Sequence, residues 1–305
     1  MNIQYHPKAI LFLISATVLW GLNFHLAKNL LLSVDFIQAG FWRYIFGVGF
    51  LFVVQITTGS SFPFFKQLYQ NIKGYFLAGF IGLFGFSIFF FLGLKYTSAL
   101  NAALQVSLNP VLTLLFAYWI LGTPIYRHQK IGMAIGLLGV FLLITRGRPN
   151  LLLETNWSYG DMLIFMANIL FAIHNIWVKK YYTSSVSNIS FTLITNGFCL
   201  VGFLLFLPFY GITPIGQLDA IFWLSALGIG ILGTGLAYIL WNEGIKMTGA
   251  ANAGFFMNIV PFATAIFSIS FGEQIELYHL GSGGLILIGM IYFQGVFENS
   301  DLETL

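Results

Sequence analysis

The sequence predicts an all-α membrane protein: ten transmembrane helices arranged as two inverted five-helix repeats. Three observations predict it. The chain carries almost no charge, it divides into ten apolar segments at short polar breaks, and one stretch recurs after five of those segments.

Composition decides the solvent. Of 305 residues, 58% are apolar, 18% aromatic and 8% charged, with 13 Lys or Arg against 10 Asp or Glu, and the mean hydropathy is +0.86. A water-soluble chain carries about 25% charged residues to solvate its surface, so here lipid must cover most of the outside. A hydrocarbon core about 30 Å thick takes about 20 apolar residues per helical span, and ten such spans use most of the chain. The net charge of +3 is spread over single or paired residues, with no basic run of the kind that holds nucleic acid. A lone cysteine, Cys199, sits in an apolar run and has no partner for an internal disulfide.

Breaks at charged, Pro, Gly and Ser/Asn clusters place the spans in order. The first runs from Lys8 to Leu30; its apolar stretch is long and lacks a clear small-residue cleavage site, so it reads as a retained helix rather than a signal peptide. The next four are Phe36 to Thr57, Gly74 to Tyr96, Ala99 to Leu121 and Lys130 to Arg146. The second half holds Tyr159 to Tyr181, Ile189 to Tyr210, Ala220 to Lys246, Ala250 to Phe271 and Leu277 to Phe297. With an even number of spans the termini share a side. Lys8, Lys66, Lys73, Arg127, Lys130, Lys179, Lys180 and Lys246 fall on that side, against Lys28, Lys95, Arg146 and Arg148 on the other. The excess predicts cytoplasmic termini.

Shifting the chain by 151 residues aligns Gly79 to Pro110 with Gly230 to Pro261 without a gap, and ten of 32 positions match. Among them are Lys95/Lys246, Thr97/Thr248, Ala99/Ala250, Asn101/Asn252, Ala102/Ala253 and Pro110/Pro261, a string that low complexity does not explain. Five spans per copy force the second copy to enter the membrane from the opposite face. The units are then residues 1–148 and 149–305. Inverted halves around a midplane site are the architecture of a carrier that opens to each side in turn.

Several motifs now occur in order: W-G-L-N-F at Trp20 to Phe24, F-W-R-Y at Phe41 to Tyr44, Y-T-S-A-L-N-A-A-L at Tyr96 to Leu104 leading to Asn109 and Pro110, and W-N-E-G-I at Trp241 to Ile245, followed by Pro261 and the Gly272, Glu273 pair. In that register the chain resembles the EamA-like branch of the drug/metabolite transporter superfamily over essentially its full length. The resemblance implies ten helices, cytoplasmic termini and a central cavity lined mainly by helices one, three, four, six, eight and nine. It also implies transport of small metabolites, often outward. Two departures stand out: Gly122, Thr123 replace the Gly-Glu pair in the first half, and Thr195 occupies the approximate counterpart of Arg43.

Polar and aromatic groups inside spans are the candidates for solute contact. Trp20, Asn23 and Phe24 share one face of the first helix, either lining a cavity or, for Asn23, bonding a neighbouring helix. Asn101, Gln105 and Asn109 form a polar stripe on the fourth, which must face protein or water because lipid offers no partner. Asn168, His174 and Asn175 lie on the sixth helix, Tyr238, Trp241 and Asn242 on the eighth, and Asn252 and Phe256 on the ninth, where they are counterparts of Asn101 and Gln105. Arg43, deep in an apolar span, needs an internal ion pair or carbonyl clamp, or else recognises an anion. For proton coupling the candidates are His25, His174 and Glu243, the last also placed to pair with Lys246. No catalytic motif and no His/Cys cluster for a metal is apparent, so neither an enzyme nor a cofactor is expected.

The expected function is secondary transport of amino acids or related small metabolites, outward across the inner (plasma) membrane of a bacterium. Proton-coupled uptake of a small organic cation or metabolite is the alternative. The expected partners are the lipid bilayer, a small-molecule substrate and protons, with the chain acting as a monomer or weak dimer.

Overall fold

The structure is a computed structural model that describes residues 7–58, 68–69, 71–145, 147–148, 158–182, 186–272 and 274–293, without the side chains of 140, 143, 144, 251, 252, 255 and 290. Lys66, Arg146, Glu273, the end of the last predicted span and the side chain of Asn252 therefore lie outside the described residues. Among the described residues the fold is all helical.

Among the described residues, seven helices are long and apolar enough to cross a membrane: α1 (Pro7–Leu31), α2 (Phe36–Thr57), α3 (Ile72–Tyr96), α4 (Ala99–Leu121), α6 (Tyr159–Tyr181), α7 (Asn188–Phe209) and α8 (Ala220–Thr248). Four further helices are α5 (Arg127–Ile144), α9 (Ala250–Phe256), α10 (Ile259–Ser270) and α11 (Leu277–Phe293). Side chains end the helices where the sequence supplies them. Asp35 Oδ1 accepts from the Ile37 and Gln38 amides at 2.7 and 3.1 Å, and Asp219 Oδ1 accepts from Phe222 N at 2.7 Å, satisfying first-turn donors that have no intrahelical acceptor. Gly249 joins α8 to α9 at φ +86°, a backbone region closed to most side chains.

The prolines interrupt the regular helical ladder of the fourth and ninth predicted spans. Pro110 has no amide proton and its ring collides with the carbonyl four residues back. Accordingly α4 tightens at Ser107 and Leu108, whose amides reach back only three residues, to Leu104 and Gln105. Pro261 does the same between α9 and α10, where Met257 N bonds Gly254 O and Val260 N bonds Met257 O. A second paired irregularity was not foreseen. Within α3, Phe76–Phe84 is π-helical, and within α8, Gly228–Leu236 is too; such wide turns concentrate at functional sites.

Packing interleaves the two halves of the chain. Helix α1 lies against α8 and α10, α2 against α7 and α8, and α3 and α4 against α6, whereas α5 and α11 pack chiefly on each other. That last seam is backbone on backbone: a Cβ on Gly289 would meet Gly136 N at 2.6 Å and Gly132 O at 2.8 Å. Gly289→Leu is expected to cost about 1–3 kcal/mol by overpacking, seen as a lowered unfolding temperature in detergent. Gly284→Ala, with nothing within 4 Å of the added atom, should leave it unchanged.

Candidate functional site

A narrow cavity of about 40 Å³ lies where the halves meet. Helices α1 to α4 contribute Trp20, Asn23, Phe24, Arg43, Phe86 and Phe90, together with Val106. From the second half come Asn168 and Phe171 of α6, Tyr238 of α8, Val260 of α10 and Met257 just before it. Six residues singled out in the sequence, Trp20, Asn23, Phe24, Arg43, Asn168 and Tyr238, therefore line one space.

Trp20 is its keystone. The indole is 6% exposed and packs at 5.5 Å on Phe171, 5.3 Å on Tyr238 and 5.0 Å on Trp241, all within the range of favourable ring contacts. Its Nε1 donates to the Gly233 carbonyl at 2.9 Å, inside the π-helical stretch of α8. Glycine at 233 lets the Asn23 side-chain amide lie against the backbone, where a Cβ would displace it. Phe24 meets Phe90 at 5.2 Å, and Phe86 bridges Phe90 and Phe171 at 5.4 and 5.1 Å. The wall is thus a continuous aromatic surface.

Arg43 departs from its expected ion pair or carbonyl clamp. Nε donates to Thr234 Oγ1 at 2.8 Å, and Thr234 in turn donates to the Ile229 carbonyl at 3.0 Å. The guanidinium carbon lies 5.3 Å from the Tyr44 ring centroid, 5.7 Å from Phe90 and 5.9 Å from Phe91. A hydroxyl takes the place of the carboxylate because the residues lining this cavity include no Asp or Glu. Ring faces offset part of the charge's burial. Among the described residues, Arg43 Nη1 and Asn168 Nδ2 are both buried without an acceptor.

Behind this wall, several predicted residues tie helices together instead. Trp241 Nε1, which can only donate, bonds Asn175 Oδ1 at 3.1 Å; the Asn175 amide nitrogen then donates to Asn109 Oδ1 at 3.2 Å. Asn242 Nδ2 donates to Thr192 Oγ1 at 2.9 Å, linking α8 to α7. His174 meets the Ala78 carbonyl through Nδ1 at 3.0 Å, and because a carbonyl only accepts, that nitrogen carries the proton. The His174 ring stacks on Phe171 at 5.6 Å, so it backs the cavity without lining it. Phe256 is buried at the end of α9 and does not line the cavity either.

The polar stripe of α4 is divided among three neighbours. Asn101 Oδ1 lies 3.0 Å from His279 Nε2 on α11, Gln105 Nε2 donates to Asp161 Oδ1 at 3.1 Å, and Asn109 reaches α6. Asp161, which also accepts from Thr97 Oγ1 at 2.6 Å, went unremarked in the sequence. Its signal was available: a carboxylate in the first turn of an apolar span. The lining residues Phe86, Phe90 and Phe171 had no such signal among 34 phenylalanines.

The remaining proton candidates sit at the ends of the bundle. His25 Nε2 lies 3.2 Å from both the Thr264 carbonyl and Ser268 Oγ, with its ring stacked on Phe271 at 4.6 Å. Glu243 and Lys246 meet through Tyr182, whose hydroxyl donates to Glu243 Oε2 at 3.3 Å and accepts from Lys246 Nζ at 3.5 Å. Burial, reinforced by the Glu243 carboxylate, pushes the Tyr182 hydroxyl well above its ordinary range, so it stays protonated and donating. Lys28, Lys95, Gln274 and Glu276 line a polar depression beside Asn101 and His279, which gathers connectors assigned to one side by the sequence.

Comparisons with known proteins agree with this architecture. The EamA-like transporter family model matches residues 7–145 and 158–293. The uncharacterized transporter YyaM of Bacillus subtilis is 30% identical over 98% of this chain and 97% of its own length. The aromatic amino acid exporter YddG of Ancylobacter novellus is 24% identical over 54% of this chain and 56% of its own. A crystal structure of a protein 20% identical in sequence superposes with a TM-score of 0.72 over 95% of this chain and 99% of that one, a likeness of fold.

Proposed function

This chain belongs to the EamA-like transporter family, and on that premise we propose that it is a secondary carrier moving amino acids or related small metabolites out of the cell by alternating access. The observation that carries the reading is a cavity lined from both halves of the chain and flanked by paired irregularities: the two π-helical stretches and the two proline breaks. Irregular backbone at membrane depth is tolerated only inside protein or along a wet cavity. Placed symmetrically, such turns give each half a point at which to bend about a shared site.

The same pairing supports reading the chain as ten spans in two inverted repeats, residues 1–148 and 149–305, with α5 and α11 closing each repeat. Connectors of alternate number meet at opposite ends: Asn71 Nδ2 bonds the Tyr181 carbonyl at one, Gln38 Nε2 the Thr213 carbonyl at the other. That alternation, with the lysine and arginine count, favours cytoplasmic termini in a bacterial inner membrane. Amino-acid efflux fits the aromatic wall and the partial similarity to an aromatic amino acid exporter. The cavity wall favours this over uptake of an organic cation, since it presents Arg43 and no carboxylate.

Reconstitution tests it. Proteoliposomes loaded with labelled amino acids are expected to show saturable efflux that unlabelled amino acid on the opposite side accelerates. An imposed pH gradient should change its rate if protons are coupled. Flux that is not saturable, or equals that of protein-free liposomes, overturns the carrier reading.

A further inference from the structure

The cavity holds an imbalance that its own residues do not resolve. Arg43 is 2% exposed, a permanent cation in an apolar span, and among the described residues its side chain's only hydrogen bond is to a neutral hydroxyl. Its Nη1 has no acceptor, and neither does Nδ2 of Asn168, likewise 2% exposed and lining the same space. Asn23, 3% exposed, lies beside them in the lining. Buried donors without acceptors are rare and costly, and a buried charge without a counter-ion is costlier. The residue that carries this unpartnered Nη1 lines the cavity.

We infer that Arg43 Nη1 and Asn168 Nδ2 receive the carboxylate of the transported solute, so that the substrates are organic acids, zwitterionic or simple, carried on an apolar or aromatic body. A carboxylate offers two acceptor oxygens and no donor, the complement of two N–H groups. The rest of the cavity suits the other end of such a molecule, for Trp20, Phe86, Phe171 and Met257 present ring faces and a thioether. A solute bearing only a cationic head would face Arg43 with like charge at short range. Thr234, by holding Nε, aims the free edge of the guanidinium and is a positioning residue in this scheme.

This inference rests on the carrier reading above, and its test is binding rather than flux, so that the two fail separately. Purified protein in detergent is followed by thermal unfolding with three probes of one shape: L-phenylalanine, 3-phenylpropanoate and L-phenylalaninamide. The two acids are expected to raise the unfolding temperature, since ligand bound only to the folded state stabilises it, and the amide is not. Asn168→Ala should weaken the acids by about tenfold, the loss of one hydrogen bond to a charged group. Arg43→Gln should remove their effect, and Arg43→Lys should restore part of it. Equal protection by the amide, no protection by any probe, or acid binding by Arg43→Gln at wild-type strength overturns the inference. If Arg43→Gln does not fold, Asn168→Ala decides: unchanged acid affinity overturns it. Saturable amino-acid flux alongside any of these failures leaves the carrier reading standing, whereas absent flux removes that reading.

Discussion

Gly160→Val is expected to abolish most of the folded protein. A Cβ on Gly160 would lie 2.7 Å from Gly93 O, 2.7 Å from the Tyr96 carbonyl carbon and 2.8 Å from Thr97 N. All three are backbone atoms, so no rotamer change relieves the overlap, and α6 must be pushed off the end of α3. The displacement carries Asp161 away from Thr97 Oγ1 and Gln105 Nε2, leaving a buried carboxylate short of its donors. Overpacking alone costs about 1–3 kcal/mol, and an under-satisfied buried charge adds about 1–3 kcal/mol or more. Together these take a large share of the stability that membrane and soluble domains ordinarily possess. Monodisperse yield and unfolding temperature in detergent measure it, with Gly197→Ala as the control, since nothing lies within 4 Å of an atom added there. A Gly160→Val protein that unfolds at the wild-type temperature would show that α3 and α6 do not approach this closely.

Trp20→Ala is expected to stop transport and to destabilise the protein by about 3–5 kcal/mol, the range for truncating a buried large aromatic. Three ring contacts and the bond to Gly233 vanish together. Trp20→Phe separates two roles. It keeps an aromatic face toward Phe171 and Tyr238 but frees the Gly233 carbonyl, at about 1 kcal/mol for one neutral hydrogen bond. If the indole N–H latches α1 to the π-helical turn of α8, the phenylalanine protein should bind substrate at near wild-type affinity while its flux falls by about tenfold, equivalent to about 1.4 kcal/mol on the rate-limiting step. Equal loss of binding and flux would instead assign Trp20 to solute contact alone. Flux in proteoliposomes and thermal shifts in detergent supply the two readouts.

Some of this was legible in one dimension. The absence of charge and the twenty-residue spacing of polar breaks required lipid-embedded helices, because both follow from local solvation and rise per residue. Pro110 and Pro261, in register at a shift of 151, marked where α4 breaks and where α9 gives way to α10, since a missing amide proton acts within one turn of its own position. The face of α1 carrying Trp20, Asn23 and Phe24 was readable for the same reason. All three line the cavity.

Tertiary packing alone decided which group meets which. The helical period required Asn101, Gln105 and Asn109 to avoid lipid, but His279, Asp161 and Asn175 became their partners through contacts 56 to 178 residues apart in sequence. Arg43 illustrates the same division. Its place in an apolar span demanded compensation, and only the folded bundle offers it a threonine hydroxyl and three ring faces while leaving Nη1 open. Periodicity constrains a side chain's direction relative to its own helix axis. The rotation and approach of the neighbouring helix, which determine hydrogen-bond partners and cavity walls, depend on the summed packing of many residues that look alike in sequence.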